Sequence, residues 1–303
     1  MRKFNLRNHA AKRMMDLEKA GRSEEKSQAA ENTENRAGIP ETVTGNGIRA
    51  VWCTDVGRVR KDNQDAVIAA GGLYGVADGM GGHNAGEIAS GGLRDGLLEE
   101  TAGKTPSADT LTDAVKAVNI RLFNRQVEDS SLSGMGTTLT VLWPDEDQMI
   151  IAQVGDSRAY LIRDGVMKQM TEDHSMVADM VRKGVLTEEQ AACHPMRNYI
   201  TRAVGTDEIL DVDIVCEKRR TGDRWLVCSD GLYGLMSRTL LAELSLIPDA
   251  EEAARQLMQT ALDNGGKDNI SLVLLDDLAE RDDDPVQERN PETDETSGEV
   301  ADA

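Results

Sequence analysis

Residues 73–82 read LYGVADGMGG, an apolar strand that runs into an aspartate and several glycines. The run from Leu73 to Ala77 has the composition of a buried strand. It places Asp78 at the end of that strand, and the glycines that follow carry no side chains that would shield a bound ion. The carbonyl oxygen of Gly79 is then available as a second ligand for a hard divalent cation. A single Asp-Gly pair is common in turns, so the prediction depends on whether the pattern recurs.

The same arrangement of an aspartate beside an apolar run recurs along the chain. Asp230 follows the run WLVC, and Asp268 precedes the run ISLV. Asp65 and Asp156 lie at similar breaks, in the motifs NQD and VGDSR. Carboxylates that converge in one cleft repel one another unless cations neutralise them. Two bound cations can activate a water and hold an anionic substrate oxygen, so the sequence predicts a metal-dependent hydrolase.

Arg60 is the candidate ligand for the substrate. A guanidinium group can hold two phosphate oxygens in parallel charge-assisted hydrogen bonds. An arginine in a loop is usually only solvated, but Arg60 lies shortly before Asp65 in the sequence. Its position beside the aspartates therefore favours phosphate binding.

The overall composition excludes several classes of protein. The 303 residues carry a formal charge of −20, which argues against nucleic acid as a partner because two polyanions repel. The cysteines show no Cys-x-x-Cys spacing, and most lie in apolar runs, so we expect free thiols in a reducing cytoplasm. No apolar stretch approaches the roughly 18 residues of a membrane span. The basic N-terminus lacks the apolar segment of a secretory signal.

The chain divides into three parts by composition. Residues 1–47 are polar and predict a disordered extension, with a short helix possible over 3–19 and a linker over 21–47. Residues 48–278 form one dense block of short strands and amphipathic helices. Residues 279–303 form an acidic tail that we expect to be disordered. Tight polar turns between consecutive strands favour an α+β fold with antiparallel sheets and helices outside.

The predicted secondary structure of the block follows from apolar periodicity. The predicted strands are 48–53, 73–77, 137–142, 149–154, 159–162, 212–215, 225–228 and 270–275, and the predicted helices are 84–101, 107–128, 175–183, 187–193, 238–246 and 250–263.

The motifs, taken in order, resemble those of the metal-dependent protein phosphatases, the type 2C serine/threonine phosphatases, and most closely their bacterial branch. They are DVGRVRKDNQD at 55–65, VADGMGGH at 76–83, GMGTT at 134–138, VGDSR at 154–158, CSDGL at 228–232 and GKDN at 266–269. Together they span essentially the whole block from 48 to 278, and their joint occurrence in this order is highly specific.

The resemblance implies a four-layer αββα sandwich, two antiparallel sheets flanked by helices, with the metal site in a cleft at one edge. It implies hydrolysis of phosphoserine and phosphothreonine with Mn²⁺ or Mg²⁺. By position, Asp78, Asp230 and Asp268 correspond to the ligands of a first metal. Asp78 and the Gly79 carbonyl correspond to those of a second, with Asp65 reaching it directly or through water. Asp156 and Asp230 correspond to a weaker third metal, and Arg60 to the phosphate-binding group.

The implied mechanism is direct attack of a metal-bridged hydroxide on phosphorus, without a phosphoenzyme. Met80 stands where many eukaryotic members carry histidine, and methionine donates no proton to the leaving alkoxide. We expect metal-bound water to supply that proton, whereas His83 is better explained as a surface or helix-capping residue. His174 is expected to be structural or near the substrate. Residues 175–202 correspond to the flap that bacterial members insert beside the site.

Three functional hypotheses remain open from the sequence. The first is an active, monomeric, cytoplasmic phosphatase that acts on phosphorylated proteins and opposes a serine/threonine kinase, without binding nucleic acid or membrane. The second is a pseudophosphatase that serves as a scaffold, and the third is a phosphatase dedicated to one regulatory protein. Pseudoenzymes lose ligands, whereas every expected aspartate and Arg60 are present here. The sequence therefore favours the active phosphatase.

Overall fold

Two six-stranded antiparallel sheets lie at the centre of the computed structural model, which describes residues 38–45, 47–82 and 85–280. The strands are β1 (Glu41–Gly45), β2 (Ile48–Asp55), β3 (Asp65–Ala70), β4 (Leu73–Met80), β5 (Gly136–Thr137), β6 (Leu139–Pro144), β7 (Gln148–Val154), β8 (Arg158–Arg163), β9 (Val166–Gln169), β10 (Asp213–Lys218), β11 (Arg224–Cys228) and β12 (Ile270–Asp277). One sheet has the order β1-β2-β12-β11-β8-β9, and the other has the order β10-β7-β6-β4-β3 with β5 paired to β4.

The helices lie mainly on the outer faces of the two sheets. They are α1 (Ala85–Thr101), α2 (Ala108–Glu128), α3 (Met176–Arg182), α4 (Glu188–Ala192), α5 (Asp230–Tyr233), α6 (Arg238–Ser245) and α7 (Ala250–Asp263), and Ser130–Leu132 forms one 3₁₀ turn. Buried residues of α1 and α2 pack on the β4 sheet, and buried residues of α7 pack on the β12 sheet. The layers are therefore helix, sheet, sheet and helix.

Alternation along the central strands explains why both faces of each sheet are apolar. In β4, Tyr74 and Val76 point between the sheets, whereas Leu73 and Ala77 point toward α1 and α2. In β12, Val273 belongs to the layer between the sheets, and its neighbours point toward α7. Because successive side chains of a strand face opposite sides, a strand covered on both faces is a continuous apolar run. These are the runs from which the strands were predicted.

The predicted α+β sandwich of four αββα layers is confirmed, and most helix and strand bounds agree with the prediction to within a few residues. The predicted linker over 21–47 is wrong for β1, which pairs with β2 from Glu41 opposite Trp52 to Gly45 opposite Ile48. β1 was missed because four of its five residues are exposed and leave no apolar pattern. Residues 1–37 and 281–303, including the predicted helix over 3–19 and most of the acidic tail, lie outside the described residues.

Truncation tests whether the folded block begins before residue 48. Removal of residues 1–46 deletes β1 together with the hydrogen bond from the Gly38 amide to the Thr54 carbonyl (2.8 Å). Removal of residues 1–37 leaves both in place and is the matched control. We expect the longer truncation alone to lower the free energy of unfolding in urea by about 2 kcal/mol, since each backbone hydrogen bond contributes about 0.5–1.5 kcal/mol net. Equal stability of the two truncated proteins would contradict a structural role for β1.

Candidate metal centre

Antiparallel pairing places two of the predicted carboxylates opposite each other. Asp65 begins β3, Asp78 lies near the end of β4, and the two residues are direct partners in the strand register. Like charges in this position repel each other, so the pairing is unfavourable without a compensating group. The arrangement therefore indicates a functional site.

The other sheet contributes two further carboxylates to the same region. Asp230 is the first residue of α5, directly after β11, and Asp268 lies just before β12. β11 and β12 are neighbours, with Cys228 opposite Leu272, so both aspartates lie at one edge of their sheet. The carboxyl groups of Asp78 and Asp230 hydrogen bond to each other across the two sheets. The sandwich thus brings together four residues that are far apart in the sequence.

Withdrawal from water and mutual repulsion raise the pKa of each of three buried carboxyls. For Asp78, burial is the largest cause, followed by the charges of Asp65 and Asp230, and its pKa lies well above the usual value. Burial raises the pKa of Asp65 to about 7, although hydrogen bonds from Ser271 and Ser229 oppose the change. Burial and the charge of Asp268 raise the pKa of Asp230 to about 6, against the lowering effect of Arg60. In the metal-free protein, these groups retain protons at pH values where exposed aspartates do not.

The donor set of this cluster fits a divalent cation. Asp65 Oδ2 accepts a hydrogen bond from Ser229 Oγ (2.9 Å), whereas Asp65 Oδ1 is buried without a hydrogen-bond partner. A buried carboxylate oxygen with no partner is unfavourable, and a hard cation would satisfy it. Within the described ranges, no three carboxylate, thiolate or imidazole side chains are already closed around an ion-sized space. The charge is balanced instead by the proton between Asp78 and Asp230 and by the ion pair of Asp268 with Arg60.

Arg60 lies at the solvent side of the cluster. Its Nη2 is 2.8 Å from Asp268 Oδ2, and half of its side chain is exposed. The guanidinium is therefore close enough to the carboxylates to influence Asp230, yet it remains accessible to an incoming anion. The structure thus brings Arg60 to the predicted site.

Gly79 has a packing role that the sequence did not predict. A Cβ atom there would lie 2.1 Å from the Gly86 carbonyl oxygen and 2.5 Å from the Gln64 carbonyl oxygen. The Gly79 amide donates to that same Gln64 oxygen (3.1 Å). Glycine is required because two backbone segments approach closely, in addition to the predicted exposure of its carbonyl. Its role as a ligand stays a prediction.

Asp156 lies at the turn after β7 and faces the same region from a different side. Burial is the main cause that raises the pKa of its carboxyl to about 8, with further contributions from Asp230 and Asp173. Asp156 and Asp230 both line a cavity of about 600 Å³, whose opposite wall includes residues of α3 and α4. The predicted flap over 175–202 therefore borders this cavity, and all the predicted site residues converge on one region.

Several supporting residues were missed although they lie inside the motifs. Asn269 Oδ1 accepts from the Gln64 amide (2.9 Å), and Asn269 Nδ2 donates to the carbonyls of Val56 and Asp62 (both 3.0 Å), which fixes the loop that carries Arg60. Thr138 Oγ1 accepts from the Asp78 amide (2.9 Å). Their polar character within apolar surroundings was the available signal. His83 lies outside the described residues, so its predicted role is not addressed.

Comparisons with known proteins agree with this geometry. A profile described as Protein phosphatase 2C matches residues 58–179. The serine/threonine phosphatase stp of Listeria monocytogenes is 36% identical over 254 residues, which cover 77% of this chain and 98% of that protein. The chain belongs to the protein phosphatase 2C family. The serine/threonine protein phosphatase PstP of Mycobacterium tuberculosis is 39% identical over 226 residues, 74% of this chain, but the chain spans only 44% of PstP.

A solved structure supports the fold of this protein phosphatase 2C family member. The catalytic domain of PstP, determined with two manganese ions, aligns with a TM-score of 0.71 and 36% identity, covering 76% of this chain and 97% of that domain. The predicted family is thereby confirmed. In the part of the chain that the structure describes, no helix has the length and hydropathy needed to cross a membrane.

The raised pKa values predict how the stability of the metal-free protein depends on pH. Because the folded state binds more protons than the unfolded state above about pH 4, stability should decrease as the pH rises through about 6 to 8. We expect the chelator-treated protein to lose on the order of 2 kcal/mol of unfolding free energy between about pH 5 and about pH 8, one to two pKa units of net shift. Urea unfolding at both pH values measures this change.

The Asp78→Asn variant isolates the contribution of the cluster. It removes one buried carboxylate, so the metal-free variant should be more stable than wild type near pH 8, and added Mn²⁺ should stabilise it less. Asp211→Asn removes an exposed carboxylate in the loop before β10 and controls for the change in net charge. A variant less stable than wild type near pH 8 would show that repulsion at Asp78 is not limiting.

Proposed function

We propose that this protein is a metal-dependent serine/threonine phosphatase that hydrolyses phosphoserine and phosphothreonine in proteins. The observation that carries the proposal is the convergence of Asp65, Asp78, Asp230 and Asp268, with Arg60 at the opening, where the edges of the two sheets meet. The printed names of PstP and stp, and the two manganese ions of the PstP structure, support the same substrate class and Mn²⁺ or Mg²⁺ as cofactor.

The proposed roles follow from the position of each residue. Asp78, Asp230 and Asp268 hold one cation, Asp78 and the Gly79 carbonyl with Asp65 hold another, and Asp156 with Asp230 holds a weaker third. The bound cations supply Lewis acidity, which lowers the pKa of water and neutralises charge on the phosphoryl oxygens. Arg60 exchanges Asp268 for the substrate and orients the phosphate by two parallel hydrogen bonds. Ser229 and Thr138 fix the Asp65 side chain and the Asp78 backbone by hydrogen bonds.

The cysteines argue against the alternative chemistry of a covalent phosphocysteine. Cys53 and Cys228 are buried, and burial raises the pKa of each thiol to about 12. Burial also raises the pKa of Cys216. Because the thiolate is the reactive form, these residues are poor nucleophiles near neutral pH. This supports direct attack by water.

We further propose that the protein is a cytoplasmic monomer and opposes a serine/threonine kinase of its own cell. Free cysteines throughout the described residues support a reducing compartment. A phosphoproteome comparison between wild type and a strain lacking the gene tests the kinase relationship. Accumulation of phosphoserine and phosphothreonine on many proteins supports a general phosphatase. Accumulation on one protein would identify a dedicated phosphatase, and no accumulation would favour the pseudophosphatase scaffold.

Substitution of the shared aspartates tests the proposed reaction. Asp78→Ala and Asp230→Ala should each lower kcat on a phosphothreonine peptide by more than about 100-fold, beyond the 10–100-fold typical of residues that only support metal ligands. Chelation of wild type should have the same effect, and added Mn²⁺ should reverse it. Asp62→Ala removes an exposed carboxylate in the Arg60 loop and serves as the matched control. Circular dichroism verifies the fold, and unchanged turnover in either variant would sink the metal assignment.

Asp156→Ala separates the third cation from the first two. Asp156 approaches the cluster from the β7 turn, and its strongest charge interaction is with Asp230. We expect this variant to lower kcat while calorimetric titration with Mn²⁺ still shows tight binding of the first pair. Loss of the tight pair would place Asp156 among the ligands of the core ions.

A further inference from the structure

The turn that carries Asp156 is held by a residue that the mechanism above does not use. The Gly155 amide donates to Nδ1 of His174 (3.0 Å), and the His174 amide donates to the Gly155 carbonyl (2.8 Å). One residue therefore satisfies both backbone groups of Gly155. His174 is itself 5% exposed, so this contact lies in the interior of the protein.

The conformation of this turn explains why it requires a partner. Gly155 has a φ of +99°, and a Cβ atom there would lie 2.6 Å from Thr138 Cγ2. In this backbone conformation the Gly155 amide is turned away from the β ladder and would be buried without an acceptor. The Nδ1 lone pair of His174 is that acceptor. Without it, the direction of the adjacent Asp156 carboxylate would be less well determined.

The other side of the imidazole ring is fixed as well. Nδ1 accepts a hydrogen bond, so the proton of the neutral ring is on Nε2, which lies 3.1 Å from Asp213 Oδ2. Arg202 forms an ion pair with Asp213 and lies 3.1 Å from the same ring nitrogen. Burial lowers the pKa of His174, Arg202 and Arg182 lower it further, and only Asp213 opposes them. The ring is therefore held neutral, in the tautomer that the Gly155 amide requires.

His174 also contacts both ends of the flap segment. The Thr201 amide donates to the His174 carbonyl (2.8 Å), and the next residue, Ser175, forms a β-bridge with Ile200. Ser175 in turn caps α3 by accepting a hydrogen bond from the Ala178 amide (3.3 Å). The residue that holds the Asp156 turn is thus the residue from which the flap starts and to which it returns.

We infer that His174 is a positioning residue, which orients the Asp156 carboxylate for the weak third cation and connects that ligand to the base of the flap. The inference rests on the proposed function, because it assumes the metal centre assigned above. The ring touches neither substrate nor the reacting atoms. Its effect passes through two hydrogen bonds to Gly155.

Three substitutions separate the two nitrogens of the ring. His174→Asn places an oxygen near the position of Nδ1 and retains the acceptor for the Gly155 amide. His174→Gln retains a donor directed toward Asp213 but loses that acceptor. His174→Ala loses both. His194→Ala is the control, because His194 accepts a backbone amide within the flap (from Met196, 3.2 Å) without contact to Gly155.

The measurement is the number and affinity of bound Mn²⁺ ions, determined by electron paramagnetic resonance titration, together with kcat and KM on p-nitrophenyl phosphate and a phosphothreonine peptide. We expect His174→Ala and His174→Gln to weaken the low-affinity ion about 10-fold, the usual cost of losing a residue that supports a metal ligand. The tight pair should be unchanged. kcat at limiting Mn²⁺ should decrease for both substrates, and excess Mn²⁺ should restore it. His174→Asn and His194→Ala should resemble wild type.

Each alternative result has a definite meaning. If His174→Asn is as impaired as His174→Ala, or if all three variants bind the weak ion as wild type does, the inference is overturned. Equal loss of thermal stability and of the tight pair in all three variants indicates a general structural role and also overturns it, as does a wild-type protein that binds no third ion. If wild type hydrolyses no phosphopeptide, the proposed function fails, yet the Mn²⁺ titration still tests His174.

Discussion

Repulsion among buried carboxylates is the constraint on which the rest of this structure depends. Asp65 and Asp78 face each other across a strand pair, and Asp230 approaches them from the other sheet. Such an arrangement opposes folding unless protons or cations are bound. The apolar layers between and outside the sheets hold the strands in place despite that opposition. Affinity for cations is therefore the counterpart of strain that the sandwich maintains in the metal-free protein.

The site is rigid because backbone groups near the carboxylates have fixed partners. Asn269 connects the Arg60 loop to the start of β12, and Thr138 fixes the backbone at Asp78. His174 has the same relation to the Asp156 turn, and it extends that relation to the flap. The supporting residues form neutral hydrogen bonds, so they add no further charge to the centre. Positioning is thus separated from ligation, which allows the carboxylates themselves to remain available for ions.

The sequence predicted the central elements well because their patterns are local. The apolar run of β4 and the periodic face of α2 follow from residues that are neighbours in the chain. β1 was missed because an exposed edge strand is specified by backbone pairing with β2 rather than by a pattern of its own. The packing role of Gly79 was also missed, since the segment that approaches it, at Gly86, belongs to another element.

The sequence by itself determined which residues carry the chemistry, because aspartates at strand ends and their spacing are properties of the chain. It also determined the family, through motifs that occur in one order. Only the tertiary structure decided that Asp78 meets Asp230, that Arg60 reaches Asp268, and that His174 holds Gly155. These contacts join residues on different sheets and loops. Their geometry depends on how the two sheets stack, and no local pattern contains that information.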